Sequence, residues 1–192
     1  MLKLNLGCGY NRMDGFVNVD VSPACDPDVV ANLEEVPWPW ASDSVEAVAF
    51  NHSLEHMCAA AEKFLALMSE LYRVCCHEAV IQVRVPHPRH DDFLDDPTHV
   101  RVITPALFYL FDRRKNDEWR ERKCSNTPFA HYLGVDFEVT RAEALLAEPY
   151  FSMLQAGTLT KEQVDLEVKA KNNVAKEYRI ALRVRKRPVP HP

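Results

Sequence analysis

The sequence predicts an α/β fold in which a mostly parallel sheet carries helices between its strands. Two observations support this prediction: short apolar runs of strand character recur along the chain, and amphipathic helical patterns separate several of them. Such alternation is typical of parallel sheets, because parallel neighbours need a crossover connection. Seven segments have strand character, at residues 2–6, 16–21, 28–31, 46–50, 79–85, 137–146 and 178–184.

Helical patterns lie between the later strands. Apolar residues recur at steps of three and four within residues 59–76, which predicts an amphipathic helix of about five turns. A second helix is predicted over residues 161–174, where Thr160 as N-cap and Gln163 at the third helical position form a capping-box pattern. A short helix is predicted over residues 105–113.

Length and charge indicate one domain without a basic nucleic-acid coat. The 192 residues are 47% hydrophobic, so we expect one domain over residues 1–186 and a proline-rich, flexible tail over residues 187–192. The net charge of −5 gives no electrostatic reason to bind nucleic acid or an anionic membrane. The longest uncharged stretches reach about a dozen residues, which is below a bilayer span. Since no signal-peptide pattern opens the sequence, we expect a cytoplasmic protein.

The segment between the fifth and sixth strands is unusually long. It covers residues 87–136, about 50 residues, where such connections usually have about 2–6. It is rich in histidine and aromatic residues and follows a strand at the carboxyl edge of the sheet, where substrates bind. We therefore expect residues 87–136, called the insertion below, to form the substrate pocket and a lid over it.

Two glycines and an acidic residue follow the first two predicted strands. Gly7 and Gly9 form a turn after the first strand, and Asp20 ends the second. In open α/β sheets such a turn lets the backbone approach a ligand, and the acid accepts hydrogen bonds from adjacent ribose hydroxyls. NAD and FAD are disfavoured, because Arg12 stands where their fingerprint has a third glycine. The pattern indicates a nucleotide-like site of another class, with an ordinary tight turn as the alternative.

Five short motifs lie within the first four predicted strands or next to them. They are Leu4-Asn5-Leu6-Gly7-Cys8-Gly9, Val19-Asp20, Asn32-Leu33, Val36-Pro37-Trp38-Pro39-Trp40 with Asp43-Ser44-Val45-Glu46, and Asn51-His52-Ser53-Leu54-Glu55-His56. With these motifs the sequence resembles the class I S-adenosylmethionine-dependent methyltransferases, in particular their small, single-domain, type 11-like members. The resemblance covers about residues 2–105. It implies a Rossmann-like, doubly wound seven-stranded sheet, mostly parallel with a reversed C-terminal strand.

The resemblance implies S-adenosyl-L-methionine as the cofactor. The implied contacts are Asn5, Gly7, Cys8, Gly9, Asp20, Val21, Asn32, Leu33, Asn51 and His52. The two glycines would line the methionine end, Asp20 would hold the ribose, and Asn32 with Leu33 would face the adenine. Asn5 stands where the family often has an acid, which removes a negative charge near the cofactor's amino group. Asn32 replaces a common Asp, and its carbonyl still accepts a hydrogen bond from the adenine amine.

Histidines are the candidate catalytic bases. A hydroxyl acceptor must lose a proton, and the ordinary pKa of histidine lies near neutrality. His99 and His90 are the best candidates, since both follow the fifth strand on the expected pocket side, whereas a contact at a helix entrance is the simpler interpretation of His56. We expect no metal site, because the carboxylate and imidazole runs of the insertion lack a defined ligand spacing.

The predicted function is S-adenosylmethionine-dependent methyl transfer to a small-molecule or sugar-like acceptor. Two alternatives stay open: a catalytically silent S-adenosylmethionine-binding or interaction protein, and a methyltransferase that acts on a macromolecule. Neither the acceptor nor the oligomeric state follows from the sequence.

Overall fold

One seven-stranded sheet organises the protein in a computed structural model that describes residues 1–186. The predicted tail, residues 187–192, lies outside the described residues. The strand order is β3-β2-β1-β4-β5-β7-β6. The strands are β1 (Leu2–Leu6), β2 (Val17–Asp20), β3 (Val29–Val30), β4 (Val45–Asn51), β5 (Cys75–Pro86), β6 (Phe137–Leu146) and β7 (Ala175–Val184).

Strand directions follow the predicted class. The pairs β1–β2, β1–β4, β2–β3 and β4–β5 are parallel, whereas β7 is antiparallel to both β5 and β6. The seven predicted strands and the reversed C-terminal strand are confirmed. The strand β5 begins at Cys75 rather than at residue 79, because the backbone is already extended at Cys75, with φ −70° and ψ 138°.

Seven α-helices accompany the sheet within residues 1–186. They are α1 (Ala61–Val74), α2 (Asp91–Leu94), α3 (Pro105–Tyr109), α4 (Arg113–Glu121), α5 (Phe129–Tyr132), α6 (Tyr150–Gln155) and α7 (Lys161–Ala170), with two 3-10 turns at Pro23–Cys25 and Leu54–His56. The long amphipathic helix is confirmed as α1, which buries Phe64, Leu67, Met68 and Leu71. None of the described helices is both long and apolar enough to cross a membrane.

The helix predicted over residues 105–113 is shorter in the structure, and a second helix that was not predicted follows it. The first helix, α3, ends at Tyr109, and Asp112 then caps α4. Its Oδ1 accepts hydrogen bonds from the backbone N–H groups of Arg114 at 2.9 Å and Lys115 at 3.3 Å. Because the backbone of Asp112 is extended, with φ −97° and ψ 117°, a helix cannot continue through it, and the predicted end at residue 113 is wrong.

The core lies on one face of the sheet. Leu4, Phe50, Ile81 and Leu182 are buried there, together with Leu67 of α1. The opposite face of β5 and β7 is exposed at alternate residues. No α-helix occurs among residues 1–60, so the connections that precede β4 are loops with one 3-10 turn, Pro23–Cys25.

The second half of the insertion belongs to the core. Ile103, Phe108 and Phe111 are each about 1% exposed. The Phe111 ring lies 5.6 Å from the ring of Phe129 and 6.1 Å from that of Phe64 on α1. Residues Ile103, Phe108 and Phe111 therefore anchor this part of the insertion to the core, whereas residues 120–127 are exposed, and the lid over residues 87–136 stays a prediction.

The capping box of α7 gives a test of local stability. The Thr160 hydroxyl accepts the N–H of Gln163 at 3.3 Å, and the Gln163 carbonyl accepts the N–H of Thr160 at 2.8 Å, as predicted. Thr160→Ala is expected to lower the free energy of unfolding by about 1 kcal/mol, because a helix N–H loses its partner. Urea unfolding checks this, with the exposed Thr158→Ala as the control. Equal losses in the two variants would contradict a capping role.

Candidate functional site

A cavity of about 340 Å³ opens at the carboxyl ends of β1, β2, β3 and β4. Open α/β sheets bind ligands at this edge. Seven residues predicted to bind the cofactor line the cavity: Gly7, Gly9, Asp20, Val21, Asn32, Leu33 and His52. The size lies within the range of about 300–1,000 Å³ that is typical of small-molecule sites.

The turn after β1 forms the floor of the cavity. The N–H groups of Gly7 and Cys8 both donate to the carbonyl of Val19, at 2.9 and 3.0 Å, which fixes the turn against β2. Gly7 has φ +68°, and a Cβ added there would lie 2.5 Å from the Cβ of Ser53. Gly9 has φ +50°, and no atom lies within 4 Å of its added Cβ. Gly7 is therefore required by a close approach, whereas Gly9 leaves open space.

The carboxylate of Asp20 is held by two backbone amides. Its Oδ2 accepts the N–H of Gly9 at 2.8 Å, and its Oδ1 accepts the N–H of Ser22 at 2.9 Å. Each carboxylate oxygen has a further lone pair for a ligand. The glycine turn and the acid at the end of β2 thus form one preorganised unit that faces the cavity.

The segment after β3 forms a second wall. The Asn32 carbonyl accepts the N–H of Glu34 at 3.1 Å, and its amide donates to Glu35 at 2.9 Å. The indole N–H of Trp38 donates to the carbonyl of Leu33 at 3.1 Å. These bonds fix the backbone of Asn32 and Leu33 beside the cavity.

The segment after β4 forms the third wall. His52 has φ +50°, and its Nε2 lies 2.8 Å from Oε2 of Glu177 on β7. The Ser53 hydroxyl donates to the carbonyl of Leu6 at 2.8 Å, which ties this segment to β1. Behind them, burial raises the pKa of the Glu55 carboxyl and lowers the pKa of His56.

Known structures share this fold at low sequence identity. No protein-family model matches the sequence, and no curated protein matches it. A SAM-dependent methyltransferase from Archaeoglobus fulgidus is 18% identical, with a TM-score of 0.63 over 95% of this chain and 86% of its own. An S-adenosylmethionine-dependent methyltransferase from Mesorhizobium loti is 13% identical, with a TM-score of 0.51 over 95% of this chain and 90% of its own.

The strand order and these structures agree. The chain has the fold of the class I S-adenosylmethionine-dependent methyltransferases. The 4+2 cyclase SpnF shares it at 13% identity, with a TM-score of 0.52 over 95% of this chain and 74% of its own. Since structures of this fold include methyltransferases and a cyclase, the fold alone does not determine the reaction.

Three residues predicted to bind the cofactor, Asn5, Cys8 and Asn51, do not line the cavity. Asn5 is fully buried and donates to the carbonyl of Asn11 and to Oδ1 of Asn18, both at 2.9 Å. Cys8 is buried, and burial raises the pKa of its thiol. Asn51 donates to the sulfur of Met13 at 3.4 Å. Asn5 and Asn51 thus hold the loop between β1 and β2, and a direct contact with the cofactor stays a prediction for all three.

The two predicted bases occupy different surroundings. His99 lies behind the cavity wall, with its ring 4.5 Å from the ring of the cavity-lining His56. His90 is the N-cap of α2, where its Nδ1 accepts the N–H of Asp92 at 3.1 Å. Neither ring is among the residues that line the cavity. The structure therefore brings His99, but not His90, next to the candidate site, and the catalytic role of each stays a prediction.

Five further residues line the cavity and were not predicted to bind the cofactor: Ala31, Glu34, Ser53, His56 and Met57. All of them follow β3 or β4, directly or by a few residues. Ala31 lies at the end of the third predicted strand. The other four lie in the segments after β3 and β4, which pass over the carboxyl edge, so a prediction that extends through the whole of both segments includes them.

Proposed function

We propose that the protein transfers a methyl group from S-adenosylmethionine to a small-molecule or sugar-like acceptor. The observation that carries the proposal is the unit of Gly7, Gly9 and Asp20, which presents a fixed carboxylate to a cavity at the carboxyl edge. A carboxylate in this position suits two neighbouring ribose hydroxyls.

The residues around the cavity fit S-adenosylmethionine. Asp20 would hold the ribose, Asn32 and Leu33 would face the adenine, and the open side of Gly9 would receive the methionine end. The carboxylate of Asp20 adds negative charge to the cavity, which suits a ligand that carries positive charge. When bound, S-adenosylmethionine supplies a methyl group on a positively charged sulfur. The protein's contribution is then to align the acceptor and to exclude water.

A proton acceptor for a hydroxyl substrate belongs to the same proposal. His99 and His90 are the predicted bases, and His52 joins them because its ring lines the cavity. The contact between Nε2 of His52 and Glu177 at 2.8 Å would keep that nitrogen protonated, which leaves Nδ1 to accept a proton. We also propose that residues 88–98, the part of the insertion between the buried His87 and the segment bonded to Glu55, cover the acceptor.

Cofactor binding tests the proposal through Asp20. Calorimetry with S-adenosylhomocysteine should show binding to the wild-type protein. Asp20→Ala should weaken it by about 10- to 100-fold, the value of hydrogen bonds to a charged group. Asp14→Ala is the matched control, because it removes an exposed carboxylate from the adjacent loop. Absence of binding to the wild type, or equal affinities for the two variants, would contradict the proposed site.

Activity separates the proposal from its alternatives. Labelled S-adenosylmethionine with a pooled metabolite extract should give a labelled small product. Binding of the cofactor without any turnover would indicate the catalytically silent protein, and label found only in RNA or protein would indicate a macromolecular acceptor.

A further inference from the structure

Three potential metal ligands meet at the wall of the cavity. Glu55, His56 and His99 each offer one ligand atom, and these atoms all lie within 4.8 Å of one another. Two backbone hydrogen bonds join their segments: the N–H groups of Val100 and Arg101 donate to the carbonyl of Glu55, at 3.0 and 3.1 Å. These bonds hold the segment of His99 against the segment of Glu55 and His56, so the fold itself brings the three side chains together.

The carboxylate of Glu55 is buried without a hydrogen-bond partner. Glu55 is 1% exposed, and within the described residues neither Oε1 nor Oε2 accepts a hydrogen bond. The nearest basic side chain is His52, whose Nδ1 lies 3.7 Å from Oε1, beyond hydrogen-bond distance, and which is half exposed. Burying a carboxylate without hydrogen bonds costs free energy, so a ligand of positive charge would stabilise Glu55.

Hydrogen bonds orient both imidazoles as metal ligands. Nδ1 of His99 lies 2.9 Å from the carbonyl of Phe93, which can only accept, so Nδ1 carries the proton. Nδ1 of His56 lies 2.9 Å from the hydroxyl of Thr98. That hydroxyl donates to Asp96 at 2.6 Å and therefore accepts from His56. With these bonds, Nε2 of each ring carries the lone pair, and Oδ2 of Asp96 lies 3.8 Å from Nε2 of His99. Outer hydrogen bonds orient metal-binding histidines in this way.

We propose that Glu55, His56 and His99 bind a divalent transition-metal ion beside the cavity. Two imidazoles and one carboxylate form a donor set that Zn²⁺ takes in sites that keep an open position. Imidazole ligands favour such ions over Mg²⁺, which prefers oxygen ligands and water. Bonds of about 2.0–2.2 Å place tetrahedral ligand atoms about 3.5 Å apart, so atoms that lie up to 4.8 Å apart must move about 1 Å closer when the ion binds.

The role of the ion rests on the proposed function. Because His56 also lines the cavity, the open position of the ion would meet the acceptor. An acceptor hydroxyl that ligates the ion has a lowered pKa, so it loses its proton to water more readily. The acceptor class that fits is a hydroxyl compound able to ligate a metal, and His99 would then act as a ligand instead of a base.

Metal binding is tested on the full, tag-free chain after treatment with a chelator. Calorimetry with ZnCl₂ should show one site with an affinity in the micromolar range or tighter. Co²⁺ should give visible d–d absorption, which reports ligation without any activity. Mg²⁺ in excess should not displace either ion. No heat with Zn²⁺ and no Co²⁺ spectrum would overturn the proposal.

Variants decide which residues bind the ion. Glu55→Gln, His56→Ala and His99→Ala should each weaken Zn²⁺ binding by about tenfold or more. His131→Ala is the control, since its ring also meets a carboxylate, Asp117, at 3.0 Å but lies outside the cluster. Equal affinities in the control and the cluster variants would show surface binding only and would overturn the proposal.

The stability of Glu55→Gln separates a metal ligand from a structural carboxylate. Without metal, this variant should melt at or above the wild-type temperature, because it removes a buried charge that lacks hydrogen bonds. Zn²⁺ should raise the melting temperature of the wild type by clearly more than that of Glu55→Gln, because the variant binds the ion more weakly. A metal-free variant that melts well below the wild type would show that Glu55 serves an ion pair with His52 and would overturn the proposal.

The metal site and the proposed function can fail separately. Calorimetry with S-adenosylhomocysteine on the metal-free protein tests the cofactor alone. Zn²⁺ binding without cofactor binding would refute the methyltransferase proposal and leave the metal site standing. Cofactor binding without Zn²⁺ binding would do the reverse.

Discussion

Gly7→Ala is expected to lower the free energy of unfolding by about 2–5 kcal/mol. An alanine at φ +68° costs about 1–2 kcal/mol in backbone strain. Its Cβ would also lie 2.5 Å from the Cβ of Ser53, so the backbone after β1 or β4 must shift, which costs about 1–3 kcal/mol more. Urea unfolding measures the loss. Binding of S-adenosylhomocysteine, measured where the variant is still folded, should fall as well, because the shifted turn carries the Gly9 N–H that orients Asp20.

Gly9→Ala is the matched control, because Gly9 also has a positive φ but lacks the close contact that Gly7 makes with Ser53. Its φ is +50°, but no atom lies within 4 Å of the added Cβ, so only the strain of about 1–2 kcal/mol applies. The new methyl group occupies open space at the cavity, and cofactor affinity should fall more than stability does. If Gly9→Ala destabilises the fold as much as Gly7→Ala, the close approach to Ser53 is not what selects glycine at position 7.

Much of the fold follows from local patterns. Leu4 and Leu6 are fully buried and alternate with more polar residues, and the period of β1 is therefore visible in the sequence. The helix α4 could not be found in this way, because only Asn116 among its residues is buried and no apolar stripe marks it. Its start depends on Asp112, whose capping role shows only once the turn before it has formed.

The residues of the site also differ in whether local sequence patterns reveal them. Gly7, Gly9 and Asp20 could be predicted because a strand, a turn and a strand place them together over a short stretch of chain. The cluster of Glu55 with His99 could not be predicted. Its two segments are distant in the sequence and are joined by backbone hydrogen bonds, and the sequence contains no ligand spacing that indicates the contact. Asn5 shows a third case: the motif marks its position, but its side chain is buried against Asn18.

Phe111→Ala is expected to lower the free energy of unfolding by about 3–5 kcal/mol and the melting temperature by about 10 °C. The side chain is 1% exposed and packs against Phe64 and Phe129, so truncation leaves a cavity between the insertion and α1. Differential scanning calorimetry measures the effect. Phe151→Ala, at a ring that is 43% exposed, is the control and should cost far less.

This comparison decides how much of the insertion can move as a lid. If all of residues 87–136 open together, Phe111 lies in a separately unfolding unit, and its truncation should scarcely change the main transition. With the second half of the insertion in the core, the main transition itself must fall, and amides near Phe108 should exchange as slowly as those of β5. Leu94 is 55% exposed, so the segment that includes it has less packing to lose. Fast exchange confined to residues 88–98, slowed by cofactor or by Zn²⁺, would identify that segment as the cover of the site.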